Sequence, residues 1–129
     1  MILETSALVA ILLREGQAAA LLLKLAGAAR VVVPAHVVLE ASMVLVGRKA
    51  STEEIDDLDA FLRQIGAEVL PFTAAHAGVA RQAFLIYGKG RHPAGLNFGD
   101  CMSYAVARVE GLPLLYVGGD FGRTDVAGA

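Results

Sequence analysis

Four short aliphatic runs, at residues 2–5, 30–33, 68–70 and 113–117, punctuate a chain whose other apolar residues recur at helical spacing. None is long enough to make a helix. Val31-Val32-Val33 is β-branched and bounded by Pro34, and Met1-Ile2-Leu3 has no polar alternation that would give it a solvent-facing side. Such runs read as strands buried on both faces, which is the signature of a parallel sheet. Strands alternating with helices in this rhythm predict an α/β fold: a central, mainly parallel sheet of four to five strands flanked by helices, in one domain over residues 1–129.

The helical segments are predicted at residues 6–13, 17–25, 35–49, 51–64, 73–87 and 97–111. Ser51-Thr52-Glu53-Glu54 has the spacing of a capping box, and Thr73 is a candidate N-cap. Within 35–49, Val38, Leu39, Ser42 and Leu45 recur at helical spacing, which places Glu40 near the border of the buried side. Residues 88–93 form a loop by their glycines and proline.

Composition excludes several classes. Hydrophobic residues make up 56% of the chain, yet Arg14, Lys24, Arg30, Glu40 and Arg48 interrupt every candidate span before about 18 residues, so no transmembrane helix is expected. No basic segment precedes the apolar start and Glu4 falls inside it, unlike a secretory signal, so a cytoplasmic location is expected. The single cysteine, Cys101, has no intramolecular disulfide partner and reads as a small buried hydrophobe. A net charge of −2 gives no global argument for nucleic-acid binding. The charges are nonetheless segregated: five acids lie between residues 53 and 59, and Lys89, Arg91 and His92 form a local basic stretch. The excess of apolar residues calls for a covering partner, either a second copy or another protein.

Four carboxylates outside the acidic run stand in apolar surroundings: Glu4, Glu40, Asp100 and Asp120. Burying an unpaired ionised carboxylate costs several kcal/mol, so four of them need a common reason. Ligands of open parallel sheets bind beyond the carboxyl ends of the strands, where Glu4 and Asp120 project and where Asp100, in the first turn of a helix, can reach. Oxygen ligands without imidazole or thiolate suit Mg²⁺ or Mn²⁺, which could assist cleavage of a phosphodiester, and Lys89 and Arg91 could guide the phosphates. Taken singly, all but Glu4, which a buried strand offers no exposed face, have a blander reading. Glu40 could be a border salt bridge, Asp120 a turn residue, Asp100 a helix-start acid, Lys89 and Arg91 solvated charges, and His36 and His76 helix-start or surface residues. A phosphatase or phosphoacceptor domain would want a second aspartate two residues after Glu4, where Ser6 stands.

At these residues the chain resembles the PIN-domain ribonucleases and, within them, the VapC toxins of bacterial toxin–antitoxin pairs. Met1-Ile2-Leu3-Glu4-Thr5-Ser6-Ala7-Leu8 looks like the family's first strand and helix, with Glu4 where an aspartate is usual, and Leu39-Glu40-Ala41-Ser42 matches the second acidic motif. The most specific part is Tyr87-Gly88-Lys89-Gly90-Arg91-His92-Pro93-Ala94-Gly95-Leu96-Asn97-Phe98-Gly99-Asp100-Cys101, similar to a VapC subgroup. Asp120-Phe121 and Thr124-Asp125 look like the last motif.

The resemblance implies a PIN-like fold and a Mg²⁺- or Mn²⁺-dependent endoribonuclease acting on tRNA or rRNA. It also implies a VapB-type antitoxin, contact with DNA only through that antitoxin, and a homodimer. Carried over by position, Glu4 and Asp100 would be the main metal ligands, Glu40 would bind or orient a water, Asp120 would complete the site, and Thr5 or Ser6 would orient the first ligand. Glutamate at position 4 keeps the charge but extends it by about 1.5 Å, and a misplacement of about 1 Å can cost on the order of 100-fold in rate. The alternative is therefore a catalytically impaired PIN module that binds the antitoxin in a DNA-bound autoregulatory complex.

Overall fold

The computed structural model describes residues 1–129, and most of its strands are shorter than the runs that predict them. In chain order the elements are β1 (Ile2–Leu3), α1 (Thr5–Leu12), α2 (Ala18–Ala26), β2 (Val32–Pro34), α3 (Ala35–Lys49), α4 (Glu53–Gln64), β3 (Glu68–Leu70), α5 (Ala74–Tyr87), α6 (Phe98–Glu110) and β4 (Leu114–Leu115). A 3-10 turn at Phe121–Arg123 follows. The strands form one sheet in the order β3-β2-β1-β4, with every pairing parallel.

Strand ends are set by the helices that follow. Glu4 leaves β1 to become the N-cap of α1, so Thr5 is already helical. Pro34, which lacks an N–H, closes β2 in an extended conformation and serves as the N-cap of α3. β4 keeps two residues of its expected five, and Gly118 beyond it has φ +100°, a backbone state that glycine adopts readily.

Side chains alternate across the sheet with period two. Leu3, Val33 and Leu115 point into a core shared with α1, α2, α3 and α4, while Ile2, Val32 and Leu114 point into a second core with α5 and α6. Both faces of β1, β2 and β4 are covered, as their apolar runs require, whereas β3 at the sheet edge is not: Glu68 is exposed and Val69 is 52% exposed. The free edge of β4 is met by the chain's last residues: Leu114 N donates to Ala127 O at 2.8 Å and Ala129 N to Leu114 O at 2.9 Å. This single parallel bridge, rather than a full fifth strand, completes the sheet.

Several local expectations are corrected. The capping box at residues 51–54 does not form: Thr52 is the N-cap but already has helical dihedrals, and its side chain makes no capping bond. Instead Ser51 Oγ accepts from Glu53 N at 3.2 Å. The buried stripe of α3 is Val37, Ala41 and Leu45, whereas Leu39 is 64% exposed. His76 is in the first turn of α5, as expected, but it is buried in a capping box with Thr73 and pairs with Glu110 at 3.1 Å. His36, half-buried at the start of α3, bonds Ser103 Oγ at 3.0 Å and packs edge-on against Phe72. No helix is long and apolar enough to cross a membrane.

Leu45 is fully buried in the core that joins α3 to α1 and α4. Leu45→Ala is expected to lower unfolding free energy by about 2–5 kcal/mol, measured by urea denaturation.

Candidate acidic site

From β1 the chain adds β2 and then β3 on one side, and only afterwards places β4 on the other side of β1. The strand order therefore reverses between β1 and β4, and a crevice opens beyond their carboxyl ends. Glu4 leaves β1 directly into it.

Glu4 is 3% exposed. Its Oε2 accepts from the Ser6 backbone N–H at 2.7 Å and from the Ser6 hydroxyl. Ser6 Oγ also accepts from Val117 N at 2.9 Å, which ties the start of α1 to the exit of β4. Burial pushes the Glu4 carboxyl up to about 7, against the bonds from Ser6, and the nearby charges of Asp100 and Glu40 push it the same way as burial. The positive end of the α1 dipole offsets part of this cost.

Glu40 comes from α3. Thr5 Oγ1 donates to its Oε1 at 2.5 Å, so Thr5 serves Glu40 while Ser6 serves Glu4. The carboxylate also lies against the backbone of Gly99: a Cβ there would stand 2.3 Å from Glu40 Oε2. Asp100 is held by reciprocal bonds with Asn97, the N-cap of α6: Asn97 N donates to Asp100 Oδ2 at 3.0 Å, and Asp100 N donates to Asn97 Oδ1 at 2.9 Å. Burial raises the Asp100 carboxyl, and the charges of Asp120 and Glu40 raise it further. Asp120 itself is exposed, after Gly118 and Gly119, with no side-chain capping bond.

The structure thus brings Asp100 within electrostatic reach of Glu4, Glu40 and Asp120, and Glu4 within reach of Glu40, from four separate segments. Lys89 and Arg91 are engaged elsewhere. Lys89 instead borders a cleft of about 750 Å³ between α5 and α6, floored by Phe72, Phe84 and Phe98 and containing none of the four acids. Arg91 is engaged by its own fold: its Nε donates to Leu85 O at 3.0 Å and its guanidinium lies 5.5 Å from the Phe84 ring centre.

No three acid, histidine or cysteine side chains converge closely enough to enclose an ion by themselves. The donors that interact are nevertheless all carboxylate oxygens, suited to a hard cation, and Mg²⁺ commonly takes only one or two carboxylates and fills its remaining positions with water and phosphate. The arrangement fits that mode rather than an all-protein cage.

Two contributors were missed in the sequence. Gly99 sits in the first turn of α6, where glycine costs about 1 kcal/mol against alanine, a hint of close approach. Asn97, three residues before Asp100, carries the spacing of a capping box with an aspartate in the reciprocal place.

Comparison with known proteins agrees with the geometry. Residues 1–127 match the PIN domain family. The chain is 46% identical to ribonuclease VapC36 of Mycobacterium tuberculosis over 98% of its own length and 91% of the relative's. It is 42% identical to a ribonuclease VapC of Mycolicibacterium smegmatis, over 98% of both. The crystal structure of Mycobacterium tuberculosis VapC20, a toxin that cleaves the sarcin–ricin loop, superimposes with a TM-score of 0.78 at 21% identity, covering 99% of this chain and 97% of that one.

The raised Glu4 carboxyl makes stability depend on pH. Its proton is held more tightly in the folded state, so its contribution is complete below pH 4.5 and is lost as pH rises through about 7. The loss amounts to roughly 3 kcal/mol by pH 8. In metal-free protein, Glu4→Gln is expected to raise the melting temperature over the parent at pH 8 and to change it little at pH 4.5, measured by thermal unfolding with chelator present.

Proposed function

The chain belongs to the PIN-domain family, among its VapC ribonucleases, and from that premise we propose how its acidic crevice cleaves RNA and what controls it. The protein is the ribonuclease toxin of a toxin–antitoxin pair. The observation that supports the site assignment is the convergence of Glu4, Glu40 and Asp120 about Asp100 from separate segments, with Glu4 and Asp100 raised by burial and by neighbouring carboxylates. Carboxyl groups so perturbed are commonly functional.

Glu4 and Asp100 would hold a divalent cation, Mg²⁺ or Mn²⁺, which when bound supplies charge neutralisation at the scissile phosphate and lowers the pKa of its water. Glu40, held by the Thr5 hydroxyl and packed against Gly99, orients the attacking water. Asp120 completes the acidic edge on the far side of Asp100. Ser6 fixes the Glu4 carboxylate and, through Val117, its distance from the segment that carries Asp120. Lys89, exposed at the rim of the α5–α6 cleft, draws RNA phosphates, and Arg91 adds charge from a fixed position. The substrate is a structured cytoplasmic RNA, tRNA or rRNA.

The partner is a VapB-type antitoxin, through which alone the protein meets DNA, and the toxin forms a homodimer. Exposed apolar side chains support such contacts: Leu39 and Met43 on α3, beside Glu40, and Phe84, Leu85 and Ile86 on α5.

A second reading has its own support. Glu4 is one methylene longer than the aspartate usual at its position, and its carboxylate is turned onto Ser6. The chain would then be a weakened module that acts by binding the antitoxin.

Cleavage of tRNA and rRNA with Mg²⁺ or Mn²⁺ separates the two. On the enzyme reading the chain cleaves only with metal, Asp100→Asn loses at least about 100-fold, and Gly99→Ala, which displaces Glu40, loses about 10- to 100-fold. Cleavage that appears only after Glu4→Asp would establish the weakened module, and absence of cleavage by both proteins would remove the enzyme reading for this chain.

A further inference from the structure

Asp120 stands at the end of the least constrained stretch of backbone in the site. Gly118 and Gly119 precede it, the first with φ +100°, and its own side chain makes no capping bond. Glycines impose no stiffness of their own, so the approach from β4 cannot fix where this carboxylate sits. Yet Asp120 lies near enough to Asp100 to act on its charge. Its position has to come from the residues after it.

Those residues are anchored. Phe121 is buried, with its ring 5.2 Å from that of Tyr116. Thr124 Oγ1 donates to Phe121 O at 2.8 Å. The anchor that reaches the other half of the site is Asp125: the Tyr104 hydroxyl donates to its Oδ1 at 2.5 Å, and Arg108 lies 3.4 Å from its Oδ2. Tyr104 and Arg108 lie on α6, four and eight residues after Asp100, so all three share one face of the helix. Tyr104 is 6% exposed, and a buried phenol needs a partner for its O–H. A carboxylate makes the stronger, charge-assisted kind of bond.

By its place in the last motif, Asp125 would be counted as another acid of the site. Its geometry says otherwise. The Tyr104 hydroxyl, first among several causes, holds the Asp125 carboxyl below the usual carboxylate range, and Arg108 pairs with its other oxygen.

We propose that the Tyr104–Asp125 hydrogen bond is a strut that joins the helix bearing Asp100 to the segment bearing Asp120 and sets the separation of those two acids. Tyr104 and Asp125 are positioning residues, not ligands. The inference rests on the acidic site being the ribonuclease centre, and two measurements keep the failures apart.

The first needs no activity: amide hydrogen exchange of residues 118–124 in the full chain. Tyr104→Phe is expected to speed it at least several-fold; unchanged exchange overturns the strut. The second is RNA cleavage with Mn²⁺. Tyr104→Phe is expected to lower kcat about 10-fold or more with little change in KM, and to raise the Mn²⁺ concentration needed for half-maximal rate. Asp125→Ala should do the same, the double variant should be no worse than either single one, and Asp125→Asn, which keeps an acceptor oxygen, should recover most of kcat. Additive losses, or an Asp125→Asn protein as inactive as Asp100→Asn, would overturn the proposal in favour of Asp125 acting at the metal. A lowered melting temperature with kcat within about twofold of the parent would make the pair merely structural. If the parent chain itself shows no metal-dependent cleavage, the ribonuclease reading of the site fails, while the exchange experiment still decides the strut.

Discussion

Mutual repulsion among carboxylates held at one edge of a parallel sheet is the constraint that the rest of this molecule accommodates. Glu4 and Asp100 are removed from water and sit near Glu40, and each feels both its own desolvation and its neighbours' charge. A chain that only maximised stability would not place them there. Each tolerates its position through local donors: Ser6 for Glu4, Thr5 for Glu40, and the Asn97 amide for Asp100. Two of the acids also occupy the first turns or caps of helices, where the dipole favours a negative charge. What remains uncompensated is a standing preference for positive charge in the crevice, which is useful to a protein that must collect a cation and a polyanion together.

The scaffold is rigid for the same reason. Glu4, Glu40 and Asp100 come from elements docked on the two apolar cores: Glu4 from the junction of β1 and α1, Glu40 from α3 and Asp100 from α6. The close approach of Glu40 to the Gly99 backbone shows how tightly α3 and α6 are set against each other. Asp120 is the exception, carried by a glycine-rich segment and followed by the anchored residues Phe121, Thr124 and Asp125. Precision in this site is thus unevenly distributed, with helix caps fixing Glu4 and Asp100, the Thr5 hydroxyl fixing Glu40, and no capping bond fixing Asp120.

Much of this was legible in the chain. The apolar runs of β1, β2 and β4 announced buried parallel strands, whereas β3 at the sheet edge leaves Glu68 and Val69 exposed, and the helical segments followed from spacing and caps, with Asn97 and Gly111 bounding α6. Boundaries shifted where one residue serves two elements: Glu4 reads as the end of a strand but acts as the cap of a helix. The buried stripe of α3 was misplaced by a residue or so, because Leu39 is apolar by composition and exposed by geometry. The pattern at residues 51–54 failed because Thr52 had already entered helical dihedrals, which no side-chain pattern reveals.

By itself, then, the sequence determined the layer architecture and the identity of the acids, since burial of uninterrupted apolar runs admits few arrangements and an isolated carboxylate among them needs a reason. Only the tertiary structure decided which groups hold them. Thr5 and Ser6 are adjacent in the chain, yet helix geometry sends one hydroxyl to Glu40 and the other to Glu4. Asp125 is only a residue of the last motif in the sequence, and its bond to Tyr104, 21 residues away, appears only in the fold. Side-chain direction and long-range pairing are properties of packing, and packing is settled only when all the elements are in place.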